Sequence, residues 1–312
     1  MNIDSVDFIE PLAIFKSDLR PMQYWAMLAE DKLRTWATQQ PEGFSTGFTD
    51  LDKYVRMRDS ELITIAAQSS MGKTALGMAM IETMADQVTD GCVAVFSAEM
   101  SGTSLVIRMA SAMSGVNAHK LQQGKGNPNE IAAMRGAIAR IQAKNIWIDD
   151  NGGPTTAQML EQLARLNDAV PVRGMLFDFL ELGGDENTTE EQRVGQIAHN
   201  LKGIAKTLDI PVIALSQLND QSEHRANKMP SMNDLRYSRK IGHVSDVVLL
   251  LMRPEYYEDR KVPIADIPEA DRRGVAYVVV AKQRNGPTGL VKLAFAKEQA
   301  KFGNLAYQRT HL

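Results

Sequence analysis

Residues 66–74 read AAQSSMGKT, and the spacing of Gly72, Lys73 and Thr74 is that of a phosphate-binding loop. The pattern G-x-x-x-x-G-K-[ST] opens on a glycine, and here that position holds Ala67. The glycine that matters most is Gly72, where backbone must approach phosphate closely; an alanine at the first position meets no steric penalty while its φ is negative. Backbone N–H groups across Ser69, Ser70, Met71, Gly72, Lys73, Thr74 and Ala75 would cradle phosphate oxygens at the start of a helix. Lys73 would reach the β and γ phosphates, and the Thr74 hydroxyl would coordinate Mg²⁺. Hydrolysis needs three further groups: a second carboxylate to order the metal, a base for water, and a sensor of the γ phosphate. Asp178 ends the apolar run GMLFD, where an acid would hold magnesium, although a strand end also favours aspartate as a turn former. Glu99, in VFSAEM, can orient and deprotonate water, or can stand as a helix N-terminal charge. Gln217, in VIALSQLN, both donates and accepts; it reads as a γ-phosphate sensor or as a surface glutamine.

These residues need a scaffold that brings the ends of separate strands together. Short β-rich runs fall at 62–67, 92–97, 146–149, 174–180, 211–216, 246–252 and 275–282. Several are apolar throughout, as expected of strands buried on both faces of a parallel sheet. Helical stretches follow at about 73–88, 101–114, 129–143, 155–168 and 190–208. Such alternation predicts an α/β fold with a mainly parallel central sheet flanked by helices. Residues 183–192 and 220–234 are polar loops beyond strand ends, where open α/β sheets bind ligands. Ahead of this, residues 1–42 read as an arm whose Trp25, Leu28, Leu33 and Trp36 recur at helical spacing between Pro21 and Pro41. A lone helix of that length needs its apolar face covered, either by its own domain or by a neighbouring subunit.

Composition narrows the field. The chain has 312 residues, 44% of them hydrophobic and 23% charged, which is ordinary for a globular protein of one large domain with an appendage. One cysteine, Cys92, excludes an internal disulfide and a thiolate metal cluster; opening an apolar strand, it reads as a buried small hydrophobe in a reducing cytoplasm. No basic-then-apolar leader is present, and no apolar run approaches the roughly 18 residues that span a bilayer, so no membrane role is expected. A net charge of −3 confines any nucleic-acid contact to a local patch. The five histidines sit in no nucleophile-like or zinc-like setting.

Five blocks then occur in one order: TGFTDLDKY (46–54), AAQSSMGKTALGMA (66–79), FSAEMSGTSLVIRM (96–109), PVIALSQLN (211–219) and AKQRNGPTGLVKLAF (281–295), with MLFDFLEL (175–182) a looser sixth. Over residues 43–295 the chain resembles the ATPase domain of the DnaB-type replicative helicases, RecA-like motors that assemble as hexameric rings. Alanine at the first loop position is common in that family. The resemblance implies ATP and Mg²⁺ as cofactors. It assigns Glu99 as catalytic glutamate, Asp178 as the metal-ordering acid, and Gln217 as sensor. Arg284 would be an arginine finger and Lys282 a second γ-phosphate cation, both serving the adjacent subunit's site; charge supplied in trans stabilises the transition state and makes hydrolysis depend on assembly. Lys282 and Arg284 also border NGPTG, which reads as the turn of a solvated β-hairpin.

Residues 232–257 resemble the segment that lines the family's DNA channel. Where its usual core is D-L-R-E-S-G, this chain keeps Asp234, Leu235, Arg236 and Ser238 but has Tyr237 and Arg239. Arg236 would contact single-stranded DNA backbone, with Arg239 and Lys240 adding charge nearby. The family's N-terminal primase-interacting domain does not fit into 42 residues, which leaves room for the linker helix that docks on the next subunit. The implied function is an ATP-driven, ring-forming helicase acting on single-stranded and forked DNA with loader or other replication proteins, moving 5′ to 3′. The alternatives are a RecA-like ATP-dependent DNA-binding, assembly or remodelling protein without processive unwinding, and a shortened paralogue that regulates a full-length helicase.

Overall fold

The computed structural model describes residues 19–37, 41–187, 189–235 and 238–305. Contacts divide the chain into two units, Met1–Glu42 and Gly43–Leu312. The first unit holds α1 (Met22–Ala37), as the spacing of its apolar residues predicts. Within that unit Arg34 pairs with Glu30 at 3.0 Å and Lys32 with Glu42 at 2.8 Å.

The second unit alternates strand and helix: β1 (Leu62–Ala67), α2 (Lys73–Gln87), β2 (Cys92–Ser97), α3 (Gly102–Ser114), α4 (Ala118–Gln122), α5 (Pro128–Gln142), β3 (Ile146–Asp149), α6 (Thr156–Ala169), β4 (Val172–Asp178), α7 (Glu190–Leu208) and β5 (Val212–Gln217). It continues with α8 (Ser238–Val244), β6 (Val247–Met252), α9 (Pro254–Asp259), β7 (Val275–Gln283), β8 (Gly289–Ala296) and β9 (Lys301–Gly303). Among the described residues the strands form one sheet of nine, in the order β3-β2-β4-β5-β1-β6-β7-β8-β9. The strands from β3 to β6 in that order are parallel; β7, β8 and β9 extend the sheet antiparallel. The mainly parallel sheet flanked by helices is what the apolar runs predict.

Side-chain alternation builds a core on each face. Ile63, Ile65, Val93, Val95, Leu176, Ile213 and Leu215 point to one cluster, shared with Leu76, Met80 and Met84 of α2. Their neighbours Leu62, Cys92, Ala94, Phe96, Met175, Phe177, Val212 and Ala214 point to the other, shared with α6 and α7. Period two along strands apolar at every position requires helices on both sides. Local signals fix where those helices start: Asn127 with Glu130 and Thr155 with Gln158 form capping boxes, and the Ser101 side chain accepts from the Ser104 N–H.

The structure corrects one strand end and extends the sheet at one edge. The fourth strand ends at Asp178, not at residue 180; Leu180–Leu182 already turn as a 3₁₀ segment. The antiparallel β8 and β9 complete a sheet edge that strand–helix alternation does not announce, because only the three-residue 3₁₀ turn Lys297–Gln299 lies between them.

Candidate active site

Register places the catalytic candidates in one row. β1 pairs with β5 so that Ala67 lies beside Gln217, and β2 pairs with β4 so that Ser97 lies beside Asp178. The strands end together at their carboxyl edge, so Asp178, Gln217 and the loop after Ala67 share that edge, and Glu99 follows two residues beyond Ser97. Asp178 ends its strand and Gln217 ends the next.

The loop itself is shaped by two left-handed residues, Ser70 at φ 66 and Gly72 at φ 95. A Cβ on Gly72 would lie 3.4 Å from Phe302, so space permits a side chain and the backbone angle does not. Ala67 lies within β1 and is not a positive-φ residue, which removes any need for glycine there. Gly72 caps α2 without a side-chain hydrogen bond, leaving the first N–H groups of the helix open to an anion.

Around this loop the predicted residues converge. The Thr74 hydroxyl donates to Asp178 Oδ2 at 2.8 Å. Lys73 Nζ stands 3.7 Å from Asp178 Oδ1, 3.5 Å from Glu99 Oε2 and 3.9 Å from the centre of the Phe179 ring. Burial pushes the Asp178 carboxyl above its ordinary value, opposed by Lys73 and the Thr74 hydroxyl. Gln217 Nε2 donates to Ser69 Oγ at 3.0 Å, so the sensor candidate touches the phosphate loop directly. All of them but Asp178 line a cavity of about 790 Å³, together with Arg108, Arg253, Phe295 and Lys297.

The donor set suits magnesium. Asp178 Oδ1 is buried without a hydrogen-bond donor, and it sits with the Thr74 hydroxyl as a pair of hard oxygen ligands. Among the described residues no cluster of three or more His, Cys, Asp or Glu side chains could hold a metal. A magnesium ion here would therefore take its remaining ligands from phosphate oxygens and water, as that ion ordinarily does.

Lys282 and Arg284 lie elsewhere. Lys282 Nζ donates to the carbonyls of Gly242 and Ser245, both at 2.7 Å, and Arg284 Nη1 donates to Asp246 Oδ1 at 2.9 Å. Asp246 directly precedes β6 and accepts from the first N–H of β1, so these cations occupy the amino edge of the parallel strands. A six-residue strand, about 20 Å long, separates them from Lys73 of the same chain. The hairpin also read from NGPTG is present, formed by β7 and β8. Of the DNA candidates, Arg236 and the Arg239 side chain lie outside the described residues. Lys240 is exposed on α8, with its stem against Gly195 of α7.

Three neighbours escape a reading of the sequence. Glu181 accepts from the Gln217 N–H at 2.9 Å and the Ser216 hydroxyl at 2.8 Å, and so fixes the end of β5. Arg253 donates to the Ser70 carbonyl at 2.8 Å while stacking 4.2 Å over the Phe295 ring. Phe179 gives Lys73 an aromatic face. Glu181 and Phe179 fall inside MLFDFLEL, a block whose edges were legible but whose side-chain directions were not. Arg253 falls inside the 232–257 segment read as facing DNA, and nothing in that segment marked it for the nucleotide cavity, because its partners come from β8 and the phosphate loop.

The model for the DnaB-like helicase C terminal domain matches residues 43–304. The replicative DNA helicase DnaB of Geobacillus stearothermophilus is 36% identical over 267 residues, covering 84% of this chain and 57% of that protein. The chain thus spans little more than half the length of that curated relative. Among solved structures, a DnaB-like replicative helicase, studied for its interactions with primase, superposes with a TM-score of 0.79 at 30% identity, covering 93% of this chain and 68% of that one. A second solved structure, of an ATPase domain alone, gives 0.82 at 29% identity, covering 93% of this chain and 100% of that one. The fold is the RecA-like one, and the chain belongs to the DnaB-like helicase C-terminal domain family.

Proposed function

We propose that this chain is the ATPase motor of a ring-forming, replicative-type DNA helicase, hydrolysing ATP at subunit interfaces to move along single-stranded DNA and open duplex. The observation that carries this reading is the division of the site. Lys73, Thr74, Glu99, Asp178 and Gln217 meet at one edge of the sheet, while Lys282 and Arg284 stand at the opposite edge. One chain holds both halves and cannot bring them together, whereas a ring of copies does so at every interface.

In the assembled site Lys73 and the loop N–H groups hold the β and γ phosphates. Mg²⁺, held by Thr74 and Asp178, would neutralise phosphate charge. Glu99 takes a proton from water as its oxygen attacks the γ phosphorus, and the bond to the bridging oxygen breaks with its electron pair leaving on ADP. Arg284 and Lys282 of the neighbour stabilise the charge on the transferring group. Gln217, in contact with the loop, reports loss of the γ phosphate to β5 and the loop beyond it. Arg236, Arg239 and Lys240 supply backbone contacts to single-stranded DNA, α1 joins the motor to the next subunit, and residues 43–312 form the motor itself. The partners of this reading are forked DNA and replication or loader proteins, met in the cytoplasm. Among the described residues no helix is long and apolar enough to cross a membrane.

A forked duplex with each single-stranded tail removed in turn tests the proposal, with Lys73→Ala as control. ATP-dependent strand separation that needs one particular tail and vanishes in Lys73→Ala is expected. Rings that hydrolyse ATP on DNA yet never separate a fork would leave only the remodelling alternative.

A further inference from the structure

Each residue from Lys282 to Asn285, where β7 runs into its turn, is held by its own chain. Lys282 is bonded to the carbonyls of Gly242 and Ser245, each at 2.7 Å, and Gln283 Nε2 donates to the Tyr54 carbonyl at 3.0 Å. The Arg284 N–H donates to the Asp246 carbonyl at 3.0 Å, and Asn285 Nδ2 donates to Glu61 Oε1 at 2.7 Å. The guanidinium is gripped twice, by Asp246 Oδ1 and by the His243 carbonyl, both at 2.9 Å.

Asp246 is the centre of this arrangement. Its side chain is only 5% exposed, and Oδ2 accepts from the Leu62 N–H at 2.8 Å and from Lys202 Nζ at 2.6 Å. Lys202 is itself fixed on the Ser60 carbonyl at 2.6 Å. The carboxylate is thus locked from the sheet by a β1 amide and an α7 ammonium, and its second oxygen is left to face Arg284. Charge matters as much as place. Asp246 and Glu61 stand among four cations, Lys202, Lys282, Arg284 and Arg58, so the local sum stays positive and Arg284 is oriented without being neutralised. Its side chain remains 47% exposed, with N–H donors beyond the two already used. A carboxylate paired with Arg284 alone would cancel the charge that a phosphoryl transition state needs.

We propose that Asp246 is the positioning residue for Arg284, holding the guanidinium rigid and still charged for delivery to a neighbouring subunit's nucleotide. The inference rests on the reading that Arg284 acts in trans. Asp246 acts through Arg284 and touches no nucleotide itself.

The test is steady-state ATP hydrolysis by the assembled full chain carrying Asp246→Asn, which keeps the shape and an acceptor but loses the charge. The expected result is a kcat lower by about tenfold or more with KM for ATP within about twofold, since the variant's own phosphate loop is intact. The double variant Asp246→Asn/Arg284→Ala should be no slower than Arg284→Ala alone. Mixed with Lys73→Ala subunits, whose loop is disabled and whose Arg284 is sound, Asp246→Asn should regain activity above the sum of the two separate proteins. Mixed with Arg284→Ala it should not. A raised KM with unchanged kcat, or a double variant that multiplies the two losses, overturns the assignment. So does failure of rescue where Arg284→Ala is rescued by the same Lys73→Ala subunits. Failure to rescue Arg284→Ala itself refutes the in-trans reading, and the role of Asp246 with it. If Asp246→Asn does not assemble, Asp246→Glu, with the same charge on a longer stem, is held to the same requirement of rescue.

Discussion

At the scale of single residues, two carboxyl groups near the nucleotide cavity differ in what their surroundings allow. The Glu99 side chain is half exposed and 3.5 Å from Lys73, free to reach a water molecule in the cavity. Glu99→Gln keeps the shape and removes the base, so kcat should fall about 10²- to 10⁴-fold while nucleotide affinity holds. Single-turnover hydrolysis alongside nucleotide titration checks this, and equal losses in both would assign Glu99 to binding. Glu181 is buried, and burial pushes its carboxyl above the ordinary value despite the Gln217 N–H and the Ser216 hydroxyl. The folded protein therefore keeps that proton to higher pH than the unfolded chain does. Its contribution is fully present below the ordinary carboxylate pKa and is lost as pH rises through the raised one. Glu181→Gln stays neutral throughout and keeps the Oε1 acceptor. Wild type should lose stability relative to Glu181→Gln across that window in urea midpoints taken against pH. A constant difference would show that Glu181 titrates alike in the folded and unfolded chain, with no upward shift from burial.

At the scale of elements, α2 decides where Lys73 stands, and its distance from the sheet is set by Gly77. A Cβ there would meet Leu176 at 3.1 Å and Leu215 at 3.2 Å, both fully buried side chains with nowhere to move. Valine at this position overpacks the seam by about 1–3 kcal/mol. Gly77→Val is therefore expected to lower Tm by several degrees and to raise the KM for ATP, because the helix that opens with Lys73 is displaced. A Tm loss with an unmoved KM would mean that α2 shifts without carrying its first turn along. At this scale the sequence was largely transparent. Runs such as LITIAA and CVAVFS, apolar but for Thr64 and Ser97, have one stable environment, a sheet covered on both faces. Past β7 the strand–helix alternation stops: β8 was legible only through the NGPTG turn, as the second arm of a hairpin, and the three-residue β9 went unread. The overrun of β4 past Asp178 has its own cause: Phe179 and Leu180 continue the apolar run while the backbone has already turned.

At the scale of the whole molecule, the proposed site is split between opposite edges of one sheet, about a strand length apart. ATP hydrolysis per subunit should therefore climb with protein concentration at saturating ATP, while binding of a fluorescent nucleotide to the phosphate loop changes far less. A rate per subunit independent of concentration, down to conditions where the protein is monomeric, would contradict a shared site. The sequence by itself marked the loop proposed to hold phosphate. The spacing of Gly72, Lys73 and Thr74 is local, and a loop between a strand and a helix needs only neighbouring residues to form. It also offered Glu99, Asp178 and Gln217 as candidates, each marked by the end of an apolar run. Only the tertiary structure decided that those three ends lie in one row, since strand order and register are set by packing between segments distant along the chain. It alone placed Glu181 behind Gln217, Arg253 beneath Ser70 and Asp246 between Lys202 and Arg284. The reason is physical: the partners of a buried polar group are chosen by which elements the fold brings against it, and no spacing along the chain records that choice.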